Sequence, residues 1–232
     1  MNNWLIFVEA LVIFSLLLLA KKLFGKYGVM MWIPIATLIA NIITVKNANI
    51  FGFNTAVGSV MFASTFLATD ILSECYSEKD AKRGVYLGLF AIVVFVISSQ
   101  IALLYKPSTI DFANDSMSLL FGLNLRISIS SAVMYFIANM ADIYIFKKIK
   151  NKTNGKYLWL RNNVATILCN CLENFLFMFF AWVGIYSIQE ILMIALSTSI
   201  IEAVIGICDT PFLYIARRIK DGKRAKLDSA SA

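Results

Sequence analysis

Acidic side chains lie inside or at the ends of several long apolar stretches of this sequence, where their chemistry needs an explanation. A carboxylate is costly inside a membrane, so acids found there are rare and usually bind protons, cations or polar solutes. Seven of the 14 acidic residues are placed in this way: Glu9, Asp70, Glu74, Asp142, Glu173, Glu202 and Asp209. These seven are the first candidates for a functional site.

Two of the acids fall near the middle of consecutive apolar stretches towards the C-terminus. Glu173 and Asn174 follow Asn170 by three and four residues, which places all three on one face of a helix. Glu202 lies near the middle of the next stretch, so the two carboxyl groups could face one cavity. Membrane proteins that move solutes usually bind them at this depth. The alternative is a pair of protonated acids that hydrogen-bond between two helices.

Other polar residues lie nearer the ends of the apolar stretches. Asp70 and Glu74 are four residues apart on one helical face, and Arg83 follows in the next connection. Asn139, Asp142 and Asp209 occur at a similar level in later stretches. We expect a gate of ion pairs and helix caps here, and the alternative is a set of ordinary solvated residues at the membrane surface.

Arg126 lies in the outer third of another apolar stretch, followed by Ser128, Ser130 and Ser131. Its guanidinium group could extend to the outer surface, or it could line a cavity and pair with an acid. The small polar neighbours favour the cavity, because they suit a wet face. Tyr135 could stack on a flat ligand, although contact with lipid or core is commoner for a single aromatic residue.

The composition shows which solvent surrounds the chain. Of its 232 residues, 59% are hydrophobic and 15% charged, and the mean hydropathy is +0.76. A soluble domain is about 45–50% apolar and about 25% charged, and a chain of this size cannot hide such an excess in its core. The net charge of +7 sits in short clusters between the apolar stretches, which argues against a nucleic-acid-binding surface. We therefore expect a membrane protein.

The sequence lacks the patterns of an enzyme or a metal site. It has no histidine, and its cysteines lie in or beside apolar stretches, where they behave as small hydrophobic residues. It also lacks a Gly-rich phosphate-binding loop and any metal-ligand spacing. We expect no catalytic residue, cofactor or metal. Residues 1–24 carry Glu9 and no basic start, so we expect a retained first span rather than a cleaved signal.

Seven stretches approach the length of about 20 mainly apolar residues that a spanning helix needs. They are Asn3–Phe24, Val29–Val45, Ala56–Cys75, Gly84–Tyr105, Leu119–Phe146, Leu160–Tyr186 and Ile191–Ala216. Alternate connections place 18 basic residues on one side and 2 on the other, and the basic side stays in the cytoplasm. The sequence thus predicts an all-α bundle of seven transmembrane helices, with the N-terminus outside and the C-terminus inside. Pro211 is expected to break the last helix.

Several short motifs occur in a specific order. The segment Phe66-Leu-Ala-Thr-Asp70-Ile-Leu-Ser-Glu74-Cys-Tyr76 is followed by Ala81-Lys-Arg83-Gly-Val85. Later positions are Arg126, Tyr135, Asp142, Phe146, Arg161, Asn170, Glu173 and the segment Asp209-Thr-Pro-Phe-Leu-Tyr214. Each motif is weak alone, but in this order and spacing the chain resembles the queuosine precursor transporter family, also called the vitamin uptake transporter family.

The resemblance covers about residues 28–219 and implies a six-helix transporter core there. Residues 1–27 are then an additional N-terminal helix with its connection, and residues 220–232 a cytoplasmic tail. The implied function is import of queuosine precursors, 7-deazaguanine bases or queuine, for tRNA queuosine salvage across the bacterial cell membrane. Such a chain has no ATPase of its own and acts as a secondary transporter, with proton coupling and a homodimer as options. Nucleic acid is not an expected partner.

The implied substrate suggests roles for the buried polar residues. Glu173 would accept the adjacent N–H donors of a guanine-like edge, and Asn170 or Asn139 would bind its carbonyl edge. Glu202 would hold a cationic aminomethyl arm. The other substrate-binding candidates are Arg126, Asp70 and Tyr135. The candidates for a gate or structural motif are Glu74, Arg83, Asp142, Arg161 and Asp209.

Two other functions stay open from the sequence. One is a substrate-binding subunit that uses the ATPase module of an energy-coupling vitamin uptake system. The other is a membrane enzyme or assembly factor without transport activity.

Overall fold

The structure is a computed structural model that describes residues 2–122 and 125–221; for residue 54 and residues 125–128 it describes the backbone only. Its elements are α1 (Asn2–Ile43), β1 (Asn47–Ile50), β2 (Phe53–Ala56), α2 (Ser59–Cys75), α3 (Glu78–Leu104), α4 (Asn114–Phe121), α5 (Leu125–Lys152), α6 (Leu158–Trp182) and α7 (Ile188–Arg218). The predicted class, a helical membrane bundle, is confirmed.

Helix α1 is two helical halves that double back on each other at Gly25. This residue has φ 59° and ψ −138°, a conformation that glycine adopts without steric cost. A straight helix of this length would hold its ends about 60 Å apart, yet Asn2 Nδ2 donates to the carbonyl oxygen of Asn49 at 3.2 Å. The first two predicted spans therefore occupy separate halves of α1.

A β-hairpin follows α1, where the sequence predicted only a short connection. Strands β1 and β2 are antiparallel with Ile50 opposite Phe53, so Phe51 and Gly52 form a two-residue turn. Both have positive φ, 51° and 86°, as in the turns that match the twist of paired strands. The side-chain oxygen of Asn3 accepts from the Phe51 N–H at 2.8 Å. Strand β2 includes Ala56, the first residue of the third predicted span, and α2 begins at Ser59.

The helical segments in the second half of the chain also differ from the predicted ones. Helix α4 was not predicted as a separate element, and α5 begins at Leu125 rather than Leu119. Helix α7 continues through Pro211 to Arg218, so the predicted break is wrong. Proline is tolerated in membrane helices when neighbouring groups compensate the lost backbone bond. Directly before the proline, the hydroxyl of Thr210 donates to Asn163 Oδ1 of α6 at 3.2 Å, which links α7 to α6 at this level.

Burial in this bundle reverses the pattern of a soluble protein. Phe90 and Ile97 of α3 are 67% and 54% exposed, whereas Asp70, Asp142 and Arg161 are fully buried. Such an exterior is stable against lipid, where each helix satisfies its own backbone. Five described helices, including the two-part α1, are long and apolar enough to cross a membrane, and α2 has 17 residues. The number of seven spans and their orientation stay predictions.

The first half of α1 is tied to the C-terminal end of the bundle. Lys21 is 3% exposed and donates to the carbonyl oxygen of Ile219 at 3.0 Å and to the carboxylate of Asp221 at 3.1 Å. The hydroxyl of Tyr76 also donates to Asp221, at 2.7 Å. Burial is the main cause that raises the pKa of Tyr76, and this hydrogen bond raises it further. The hydroxyl of Tyr76 therefore stays a donor at neutral pH. These contacts join the predicted N-terminal part, residues 1–27, to the residues that follow it. The division of the chain into these parts therefore stays a prediction.

Candidate functional site

Glu173 of α6 and Glu202 of α7 come together near the middle of their helices. Their carboxyl groups are close enough to repel each other. Glu202 is 6% exposed and accepts from Asn174 Nδ2 at 2.7 Å. In the described part of the chain, Glu173 Oε2 is buried without a hydrogen-bond partner. This arrangement leaves acceptor capacity for the N–H groups of a ligand or for protons.

Two buried amides add unsatisfied hydrogen-bonding groups to this region. Asn170, one turn before Glu173, is 2% exposed, and neither polar atom of its side chain has a partner among the described residues. Asn139 of α5 is fully buried; its Nδ2 donates to the Tyr135 carbonyl oxygen at 2.9 Å, while its Oδ1 lacks a described partner. Leaving such groups unpaired costs about 1–3 kcal/mol each. A polar ligand would remove this cost.

Tyr135 of α5 brings a hydroxyl group to the same region. The residue is 1% exposed, and its hydroxyl lies beside Thr37 of α1 and within electrostatic reach of Glu173. Gly88 of α3 makes room for it, because a Cβ atom at this position would lie 2.0 Å from the hydroxyl oxygen. The ring packs edge-to-face on Phe62 with centroids 6.3 Å apart. The polar end of Tyr135 is therefore held in place by its packing.

Three aspartates meet at a second position, towards the predicted cytoplasmic ends of their helices. Asp70 of α2, Asp142 of α5 and Asp209 of α7 are fully buried, and we call them the core aspartates. The carboxyl groups of Asp70 and Asp142 lie within hydrogen-bonding reach, and Asp209 is near enough to repel both. Asp209 Oδ1 accepts from Asn162 Nδ2 at 2.7 Å. The structure thus groups Asp70, predicted to bind substrate, with two residues predicted for the gate.

Glu74 is the centre of an ion-pair cluster that joins α2 to three other helices. Its side chain is 5% exposed, and its carboxylate oxygens lie 2.7 Å from Arg161 Nη2, 2.8 Å from Lys150 Nζ and 3.7 Å from Arg217 Nε. Arg161 is fully buried, and its Nη1 also donates to two backbone carbonyl oxygens before α6, at 3.1 Å each. These contacts tie α5, α6 and α7 to α2 at one end of the bundle.

Two further arginines, Arg83 and Arg126, were predicted for the site. Arg83 lies inside α3 rather than in a connection, and its side chain is 69% exposed with Nη1 3.7 Å from Asp80 Oδ1. The prediction that Arg83 lies in the connection after the third span is therefore wrong, because α3 begins at Glu78 and already contains this residue. The side chain of Arg126 lies outside the described residues, so its role stays a prediction.

One face of α6 links the two positions. Asn162, Thr166, Asn170 and Glu173 follow one another at spacings of four, four and three residues, which is one helical face. Asn162 and Thr166 are fully buried, and the Thr166 hydroxyl lies beside the carboxyl group of Asp142. Only the Asn170 end of this face was predicted from the sequence. Following the same spacing towards the N-terminus would have found the other two residues.

A separate cavity of about 270 Å³ lies between α1 and α7 and differs in chemistry. Its lining is apolar and includes Ile6, Ala10 and Ile205. An apolar lining of this kind does not suit a polar ligand. The buried polar groups on α2, α5, α6 and α7 are therefore the candidate functional site.

Comparisons with known proteins identify the family. A family model described as "Putative vitamin uptake transporter" matches residues 56–216. The "Probable queuosine precursor transporter" of Bacillus subtilis (strain 168) is 31% identical over 221 residues, which cover 94% of this chain and 96% of that protein. A protein of the same name from Haemophilus influenzae is 23% identical over 130 residues, or 56% of this chain and 53% of that protein. No solved structure matches the chain significantly.

The relatives and the apolar exterior of the bundle both indicate a protein of the bacterial cell membrane. The predicted multi-pass protein of the bacterial cell membrane is confirmed. The family model covers well over half of the chain, and the Bacillus subtilis protein covers almost all of it. On this evidence the chain belongs to the vitamin uptake transporter family, as its motifs predict.

Proposed function

We propose that this chain imports a queuosine precursor, a 7-deazaguanine base or queuine, across the bacterial cell membrane as a secondary transporter. The names of the relatives suggest the class of cargo. The observation that carries the proposal is the group of buried, unsatisfied polar atoms around Glu173 and Asn170. The sequence carries no phosphate-binding loop. We therefore propose that a gradient of solute or ions supplies the energy for transport.

The hydrogen-bonding groups of the base and of Glu173 are complementary. A 7-deazaguanine base presents its ring N–H and its amino group side by side, and one carboxylate can accept from both. The buried Oε2 of Glu173 lacks a partner in the described part of the chain. Hydrogen bonds to charged groups contribute about 1.5–3 kcal/mol each. Glu173 is therefore the residue that we assign to this edge of the base.

The surrounding residues fit the remaining groups of the substrate. The amide of Asn170 or Asn139 can both donate and accept, as the carbonyl edge of the base requires. Queuine and the aminated precursor carry a cationic aminomethyl arm, and Glu202 supplies a second carboxyl group beside Glu173 whose charged form a bound cation would stabilise. Tyr135 adds a hydroxyl and an aromatic face at the same position. These roles, and the one predicted for Arg126, are part of the proposal; Asp70, which lies with the core aspartates, is not assigned a substrate contact in it.

Growth of a suitable bacterium tests the cargo. The chain is expressed in a strain that neither makes queuosine nor imports its precursors, each precursor is supplied singly, and queuosine in tRNA is measured. We expect at least one precursor to restore queuosine. No restoration by any precursor, despite confirmed expression in the membrane, would refute the function. Uptake by the purified chain in vesicles would exclude dependence on a separate ATPase module.

A single substitution tests the site. Glu173→Gln keeps the size of the side chain but removes its charge and one of two acceptors, so precursor uptake should weaken at least about 30-fold, equivalent to about 2 kcal/mol. Glu190→Gln is the matched control, because Glu190 is exposed at the start of α7 and glutamine preserves its capping box. Unchanged uptake by the Glu173 variant would reject this site while leaving the cargo standing.

A further inference from the structure

We propose that Asp70 and Asp142 form a proton-binding site, separate from the Glu173 site, whose loading and unloading couples import to the proton gradient. The coupling half of this inference rests on the function proposed above. The proton site itself rests on the packing of α2, α5, α6 and α7.

The core aspartates have more acceptor atoms than donors around them. Both oxygens of Asp70, both oxygens of Asp142 and Oδ2 of Asp209 are buried without a hydrogen-bond partner among the described residues. Buried polar atoms in native proteins are nearly always paired, and two carboxyl groups that share a site do not both ionise. A proton held between Asp70 and Asp142 supplies the missing donor and removes one charge.

Two uncharged side chains beside the core aspartates also have polar atoms without hydrogen-bond partners. Thr166 is fully buried, and its hydroxyl lies near the carboxyl group of Asp142 but has no hydrogen-bond partner among the described residues. Asn162 is also fully buried; its Nδ2 is used by Asp209, and its Oδ1 is a further acceptor without a described partner. The pair thus lies in a polar pocket built by α6 rather than in a chance cluster of acids.

Among the described residues, the one positive charge that acts on this pocket already has an acidic partner. The charged groups that act on Asp70 are Asp142 from α5, Asp209 from α7 and Arg161 from α6, and among the described residues α1 and α3 contribute none. Arg161 is already paired with Glu74 at 2.7 Å. The described residues also contain no group of three or more acids, cysteines or histidines arranged to hold a metal ion. A proton therefore fits the pair better than a metal cation does.

Protonation of the pair can bias the arrangement of the helices. With the proton bound, Asp70 and Asp142 attract each other and hold α2 against α5. Without it, two carboxylates repel across the same contact, which favours a state with the helices further apart. A ligand shifts such an equilibrium only by binding one state better than the other. The proton meets that requirement, since only the closed contact has two carboxyl groups to share it.

Transport in liposomes with the membrane potential held at zero tests the coupling. An inward gradient of about one pH unit supports about tenfold accumulation if one proton enters with each neutral precursor. We expect the purified protein to reach that value in sodium-free medium. Asp142→Asn replaces the proton with an amide donor, so accumulation should fall to equal concentrations inside and outside. Exchange of internal for external precursor, which needs no net proton movement, should continue.

The controls separate this inference from the proposed function. Asp115→Asn, at an exposed position in α4, should keep the tenfold accumulation, and Asp70→Asn repeats the test if the Asp142 variant fails to insert. The proposal would be overturned if Asp142→Asn and Asp70→Asn both kept accumulation driven by the pH gradient. It would also be overturned if sodium drove accumulation instead. Absence of both exchange and accumulation in the unaltered protein would refute the function instead. Infrared titration of the purified protein then still tests the site, since Asp142→Asn must remove a titrating carboxyl band.

Discussion

Replacing Glu74 with glutamine should destabilise the bundle by about 3 kcal/mol, because it leaves the buried charge of Arg161 without its partner. The two side chains are 5% and 0% exposed, with 2.7 Å between their nearest charged atoms. At that distance and an effective dielectric constant of about 20, opposite charges attract by about 6 kcal/mol. Part of this is retained, because the glutamine oxygen still accepts a hydrogen bond and Arg161 keeps its two backbone acceptors.

The assay is thermal unfolding of the detergent-solubilised protein, followed by loss of the monodisperse fraction. A loss of about 3 kcal/mol corresponds to a midpoint about 6–12 °C lower for a chain of this length. Glu78→Gln is the matched control, since Glu78 pairs with Lys82 and Lys147 at a more exposed position, with 26% of its side chain accessible. Ion pairs at such positions contribute about 0–1 kcal/mol, so its midpoint should hardly move.

A double variant distinguishes charge imbalance from lost packing. If the cost of Glu74→Gln comes from the unpaired guanidinium, then Glu74→Gln combined with Arg161→Gln should unfold at a higher temperature than the sum of the two single changes allows. Strict additivity, or a Glu74 variant as stable as the Glu78 control, would refute the view that Glu74 stabilises the bundle through Arg161.

Two further predictions concern packing and topology. Gly88→Ala should destabilise the protein by about 1–3 kcal/mol through overpacking and so lower its unfolding temperature, because the new Cβ atom would lie 2.0 Å from the hydroxyl oxygen of Tyr135. The control is Ser98→Ala, on the exposed face of α3. Equal stability of the two variants would contradict the contact. In a cysteine-free background, a membrane-impermeant maleimide should label Ser108→Cys in intact cells but Lys152→Cys only after lysis, as the basic connections predict; the reverse pattern would refute the orientation.

The amino-acid sequence by itself determined the solvent and the class of fold. An apolar content of 59% with few charges cannot be buried in a chain of this size, so these residues face lipid, and lipid admits only structures that satisfy their own backbone. The sequence also placed the division between the two halves of α1, because Gly25 and its lysine neighbours interrupt the apolar pattern. The family followed from short motifs in a fixed order, which local composition preserves.

Only the tertiary structure decided which polar residues meet. Periodicity placed Glu173 on one face of α6, but it contains no information on the rotation of α7, which sets the distance to Glu202. Glu74 pairs with Arg161 and Lys150, far along the chain, rather than with Arg83, which is close in sequence and exposed in α3. Such contacts depend on how whole helices pack, and packing is a property of faces brought together from distant segments.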